Sequence, residues 1–166
     1  MTRRERLQAR RLPPTPVTIR TDFSDTAEAA FTEVGAATQA LVEAQQSGMP
    51  TEHARARLDA AHEATTGFVE TLQVHPIPPH EYEDLIAAHP PSEKERRDEG
   101  AQWNYTTLCP AMLAACVDRD TPDQMSAEEW TVDIKAGLYA TGEVATLFRT
   151  CLSVNDRSPD VRVGKG

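Results

Sequence analysis

Twelve prolines punctuate this chain of 166 residues, and they decide where long helices can run. A proline lacks the amide N–H that an interior helical position must donate, and its ring clashes with the preceding turn. Regular helices are therefore confined to the intervals between prolines. Residues 17–49 form one such interval. It opens on Val17-Thr18-Ile19-Arg20, whose alternation reads as a short strand. Ser24 or Asp25 then offers an N-cap, with Glu28 three residues after Asp25 in capping-box register. Ala27, Phe31, Val34, Leu41 and Val42 follow at helical spacing, and Gly48 with Pro50 ends the helix. A second helix begins at Thr51 and sets Ala54, Leu58, Ala61 and Thr65 on one face. Joined by the short turn Gly48-Met49-Pro50, the two read as an antiparallel αα-hairpin with an alanine-rich seam.

Residues 67–77 admit two readings. Phe68, Leu72 and Val74 alternate partly like a strand, whereas Leu58, Thr65, Phe68 and Leu72 would prolong the helix. A strand from about Val69 to His75 is favoured, because Gly67 weakens the helix and His75-Pro76 ends extended. Pairing with residues 17–20 would close the hairpin at its base.

From Pro79 onward the pattern is helical. Tyr82, Leu85 and Ile86 make a short amphipathic helix stopped by Pro90-Pro91. Ser92 with Glu95 is a capping box for a charged helix ending at Gly100. Residues 108–117 contain no charged group, which predicts a central buried helix with Pro110 in its first turn. Ser126 with Glu129 is another capping box, and Trp130, Ile134 and Leu138 recur every four residues. Thr141 can cap the last helix, whose stripe is Val144, Leu147, Phe148, Cys151 and Leu152.

Charge divides the chain. The formal net charge is −9, but residues 1–20 carry +5 and residues 21–166 carry −14. An acidic body repels nucleic acid over most of its surface. The arm's Arg3, Arg4, Arg6, Arg10 and Arg11 precede Pro13-Pro14 rather than an apolar run, so no signal peptide is expected there. No stretch approaches the roughly 20 apolar residues of a membrane span. Three cysteines without a CxxC pair argue against a disulfide framework and fit a cytoplasmic protein.

Catalytic motifs are missing: no glycine-rich nucleotide loop, no Gly-x-Ser-x-Gly, no His-Glu-x-x-His. His75, His80 and His89 have loop spacing, with prolines at 76, 78 and 79 between the first two, and read as exposed loop histidines. Asp118, Asp120 and Glu129 match positions 1, 3 and 12 of a calcium loop, yet Pro122 and Asp123 stand at positions 5 and 6. Position 6 of such a loop needs glycine. An acidic loop followed by a Ser126 cap accounts for the same residues. Cys109 and Cys116, two helical turns or about 10 Å apart, cannot bond to each other and read, like Cys151, as small buried residues.

The stretch from residue 79 onward carries a resemblance. It lies in Tyr82-Glu83-Asp84-Leu85-Ile86-Ala87-Ala88-His89-Pro90-Pro91, Trp103-Asn104, Thr107 and Pro110-Ala111-Met112-Leu113-Ala114-Ala115-Cys116. It continues in Ser126-Ala127-Glu128-Glu129-Trp130, Gly142-Glu143-Val144, Leu147-Phe148, Val154-Asn155 and Gly164-Lys165. In order and spacing these pieces, about half of the chain, resemble the tail assembly chaperones of long-tailed, siphovirus-type bacteriophages of actinobacteria. The resemblance implies a scaffold without catalysis, cofactor or metal. Such a protein binds the tape-measure protein, keeps it soluble in the host cytoplasm, promotes tail-tube assembly and is absent from the mature virion. It also implies a longer product made by a −1 ribosomal frameshift, and Val163-Gly164-Lys165 can be encoded as GTG-GGA-AAG, which contains a slippery heptamer.

The expected fold is mainly α: an N-terminal αα-hairpin with a small two-stranded β pairing, then a compact bundle of short helices. Residues 1–16 are expected as a disordered basic arm, 17–78 as strand, hairpin and strand, 79–155 as the helical body and 156–166 as a flexible tail. The expected partners are the tape-measure and tail-tube proteins, with self-association open, no membrane, and nucleic acid disfavoured. The expected contact residues are Tyr82, Leu85, Trp103, Met112, Trp130 and Phe148, the large groups of the helical body. On that reading, Trp103→Ala or Trp130→Ala lowers partner solubility without abolishing folding. Two other classes compete: a regulatory adaptor whose arm, residues 3–11, touches nucleic acid, and a metal-dependent enzyme in which His75, His80 and His89 converge.

Overall fold

Capping residues and prolines do bound most of the elements. The computed structural model describes residues 2, 12–98 and 100–156. Strand β1 (Thr15–Arg20) is followed by α1 (Asp25–Gln46), α2 (Glu52–Thr65), a single 3-10 turn and strand β2 (Val69–Val74). Among the described residues five helices follow: α3 (Pro79–Ala87), α4 (Glu93–Asp98), α5 (Tyr105–Cys116), α6 (Ala127–Ala136) and α7 (Thr141–Asn155). The expected mainly α architecture with a small two-stranded pairing is what forms, and the two strands run antiparallel. The chain divides into two units, Thr18–Thr71 and the segments on either side of it, so the division falls within both strands. Most of the arm and all of the tail after Asp156 lie outside the described residues, but Thr15 and Pro16, expected in the arm, belong to β1.

In the unit Thr18–Thr71, Ser24 caps α1 by accepting from the Ala27 N–H at 3.3 Å, and its own N–H donates to Asp22 Oδ1 at 2.8 Å. Glu28 forms no capping box; it pairs with Arg20 at 3.0 Å. The Arg20 guanidinium in turn lies over the rings of Phe23 and Phe31, 4.7 and 4.2 Å from their centroids. Ala27, Ala30, Val34, Ala37, Leu41 and Ala44 of α1 are shielded at alternating three- and four-residue steps. That is the spacing of a two-helix seam, answered on α2 by Ala54, Leu58, Ala61 and Thr65. Val42, expected in the stripe, is exposed, since one residue beyond Leu41 is a rotation of about 100°. Arg57 clamps Glu33 across the seam with two bonds of 2.7 and 3.1 Å, and the first of these holds the Glu33 carboxyl below its ordinary value.

The other unit is built around α5. Leu108, Met112 and Leu113 are fully buried there, each worth about 1.5–3 kcal/mol of transfer free energy. Helix α5 starts earlier than expected, because Asn104 Oδ1 accepts from the Thr107 N–H at 3.2 Å and caps it. Pro110 therefore stands at the sixth helical position instead of the first turn, and the Thr106 carbonyl has no donor four residues on. At its far end the chain bridges to β2: Val117 pairs with Val74, and His75 N–H donates to the Cys116 carbonyl at 2.8 Å. Asp118 turns away in the left-handed region (φ 46°), and its carboxylate accepts from the Gln73 N–H at 2.9 Å. Ser126 and Glu129 form the capping box of α6. Gly137, at φ 75°, stops that helix, so Leu138 falls off the expected stripe and is 67% exposed. Helix α7 begins at Thr141, where the Glu143 carboxylate accepts from the Ala140 N–H at 2.8 Å; Ala140, not Thr141, is the cap residue.

Candidate functional site

Small side chains on α5 and α6 leave a cleft within this unit. From α5 come Tyr105, Thr106, Thr107, Cys109, Pro110 and Ala111; from α6 come Ala127, Glu128, Thr131, Ile134 and Lys135. Val144 of α7 and His89 complete a hollow of about 550 Å³. His89 is held at the rim because its carbonyl accepts from the Asn104 N–H at 2.9 Å, so the start of α5 positions the preceding loop. Thr107 and Ala111 are one turn apart on α5, as are Ala127 and Thr131 on α6. Side chains this short cannot fill the space between two packed helices.

The walls are mostly apolar, with few polar groups at the edge. Glu128 and Lys135 stand seven residues apart on α6, about 10 Å along its axis, and give the two ends of that wall opposite charge. Tyr105 packs edge-on against Phe148, with centroids 5.0 Å apart and planes at 85°. Burial of its hydroxyl end and a hydrogen bond with Cys109 push Tyr105 up to about 12, although 47% of the residue remains exposed. Burial likewise pushes the Cys109 thiol up. Neutral phenol and neutral thiol suit the binding of an apolar surface.

The six expected contact residues all belong to this unit but do not line the cleft. Met112 is fully buried, Trp130 is 1% exposed and Phe148 is 5% exposed, so these three present no usable surface to a partner in this conformation. Trp130 instead packs on Tyr139, with ring centroids 5.0 Å apart. Trp103 is half-buried just before α5, and Leu85 is half-buried on α3. Tyr82 is half-buried as well and donates its hydroxyl to Asp156 Oδ1 at 3.1 Å.

The histidines and acidic groups take other places. His80 is exposed, but His75 and His89 are half-buried, contrary to the expectation of three exposed loop histidines. Their neighbours explain the difference: β2 carries His75 to the α5 end, and α5 holds His89 at the cleft. Among the described residues no three His, Cys, Asp or Glu side chains gather as a metal would require. Asp118 and Glu129 are engaged with backbone N–H groups of Gln73 and Ser126. Comparison of the chain with protein-family models, with curated proteins and with solved structures finds no significant match.

Proposed function

We propose that this chain is a phage tail assembly chaperone that holds a tape-measure protein in soluble form by docking one of its helices. The cleft between α5 and α6 carries this reading. Its volume and apolar walls suit the side chains of an amphipathic helix, which recognition of this kind places at i, i+3, i+4 and i+7. The −14 charge of residues 21–166 supports it too, because net charge keeps a complex with an aggregation-prone partner dispersed. Partner contact moves on this view from the aromatic set to cleft residues such as Ala111, Thr131 and Ile134.

The test is co-expression with the product of the very long helical reading frame expected just downstream. The parent chain should keep that product in the soluble fraction. Ala111→Arg or Thr131→Arg, which fill the cleft, should lower the soluble yield by about tenfold, a loss of roughly 1.4 kcal/mol in binding. Equal solubility with and without the chain would overturn the reading. The gene offers a second check: the heptamer G-GGA-AAG at Val163-Gly164-Lys165, followed by an open −1 frame, is the expected sequence. Codons that cannot slip would remove the frameshifted form from the proposal.

A further inference from the structure

Helix α6 buries Trp130 on one side and leaves an unpartnered face on the other. Glu128, Thr131, Val132 and Lys135 recur at i, i+3, i+4 and i+7, which sets them in one stripe turned away from Trp130. The stripe is open to solvent: Val132 is 58% exposed, Glu128 and Lys135 are exposed, and Thr131 is half-buried. Two further apolar groups stand at its ends, half-buried Met125 before the Ser126 cap and exposed Leu138 after Gly137. Among the described residues neither Glu128 nor Lys135 forms an ion pair within the chain.

These groups are placed symmetrically about the point between Thr131 and Val132. Glu128 and Lys135 lie equally far on either side with opposite charge, and Met125 and Leu138 lie equally far beyond them. Such a helix is complementary to a second copy of itself running antiparallel. A two-fold axis through that midpoint sets Glu128 against the partner subunit's Lys135, and by symmetry the same contact occurs twice. It also sets Val132 against the partner subunit's Thr131, and these short β-branched side chains allow the 8–10 Å spacing of packed helices. Each Leu138 comes to the end of the pair where the other copy has its Met125. A parallel pairing would instead oppose like charges at both ends, which is unfavourable.

We propose that the chain self-associates through α6 as an antiparallel two-fold dimer, in which Glu128–Lys135 pairs close both ends of a Thr131–Val132 contact. Ten residues of helix make a small interface beside the roughly 1,200–2,000 Å² of stable complexes, so the dimer is weak and forms in the micromolar range. Glu128, Thr131 and Lys135 also line the cleft. Self-pairing therefore covers that wall until another helix takes its place, a consequence that, unlike the dimer, rests on the docking reading above.

The experiment is sedimentation equilibrium of the full chain alone, at about 1 to 500 µM and low ionic strength, where charge pairs are least screened. The expected mass rises with concentration from that of one chain toward that of two, and added salt weakens the association. Glu128→Lys and Lys135→Glu each oppose like charges at both ends of the pair, and each should weaken dimerisation by about tenfold. Mixed in equal amounts, the two variants should associate as the parent chain does, because both ends of the mixed pair then join a cation to a carboxylate. Loss of helix stability in either variant could not give that recovery, and circular dichroism of each alone checks that it is folded. A parent chain that stays monomeric throughout overturns the proposal. So do single variants that dimerise like the parent, or a mixture that does not recover; each of these results would leave the face to a different protein or to none. The partner is absent from every sample, so the outcome is independent of the co-expression assay.

Discussion

Tyr82 joins the start of the helical body to its end, because its hydroxyl bonds to Asp156 at the C-terminus of α7. Burial first, then the charge of Asp156, push this phenol up to about 12. In the unfolded chain it titrates near 10. Between those values the unfolded state has lost a proton that the folded state retains, so stability falls as pH rises. Urea unfolding at pH 9 and above should show this loss, and Tyr82→Phe should flatten it. Trp130 teaches a different lesson at the same scale. It is fully packed, yet its Nε1–H is buried with no partner. Trp130→Ala should therefore cost roughly 3–5 kcal/mol, as large-to-small core changes do. Trp130→Phe should cost less than about 1.5 kcal/mol, because it also removes an unsatisfied donor. Urea midpoints of the two variants check both figures. In a chain with so few aromatics, Trp130 belongs to the protein's own core and not to a contact surface.

Elements are where the amino-acid order was most legible. The capping boxes Ser92/Glu95 and Ser126/Glu129 form as their spacing demands, since both bonds are local and need no tertiary partner. Ser126→Ala should lower stability by about 1 kcal/mol. Gly137→Ala should cost a similar 1–2 kcal/mol, because φ 75° brings a Cβ against the following carbonyl. Thermal unfolding of each variant reads these losses. The strand at Val69–Val74 was also legible, although residues 67–77 admitted a helix, because Gly67 and Pro76 bracket it. Pro110 lies inside α5, and not in its first turn, for an equally local reason. The Asn104 cap begins α5 before the apolar run, and apolar content marks a buried stretch without marking where the helix starts.

At the scale of the molecule, the two units differ in what holds them. The Thr18–Thr71 unit relies on an alanine seam with surface ion pairs such as Arg57–Glu33, which solvent screens and which add little to stability. The unit built on α5 buries Leu108, Met112, Leu113, Trp130 and Leu147. Amide hydrogen exchange should follow that division, with α5 and α7 protected to the global limit and α1 and α2 exchanging through cheaper openings. Equal protection in all four helices would contradict it. Among the described residues, no helix is long and apolar enough to cross a membrane.

By itself the sequence determined the helical class, most helix limits, the strand pair, the apolar centre of residues 108–117 and the division into a basic arm and an acidic remainder. Each follows from prolines, caps, periodicity or charge, which act over a few neighbouring residues. The tertiary structure alone decided which large side chains are core, and that Thr107, Ala111, Ala127 and Thr131 face one hollow. Those facts depend on which helix faces meet, and packing between segments far apart in sequence leaves no mark within either one. A cleft is defined by what its walls lack, so a search for large residues passes it by.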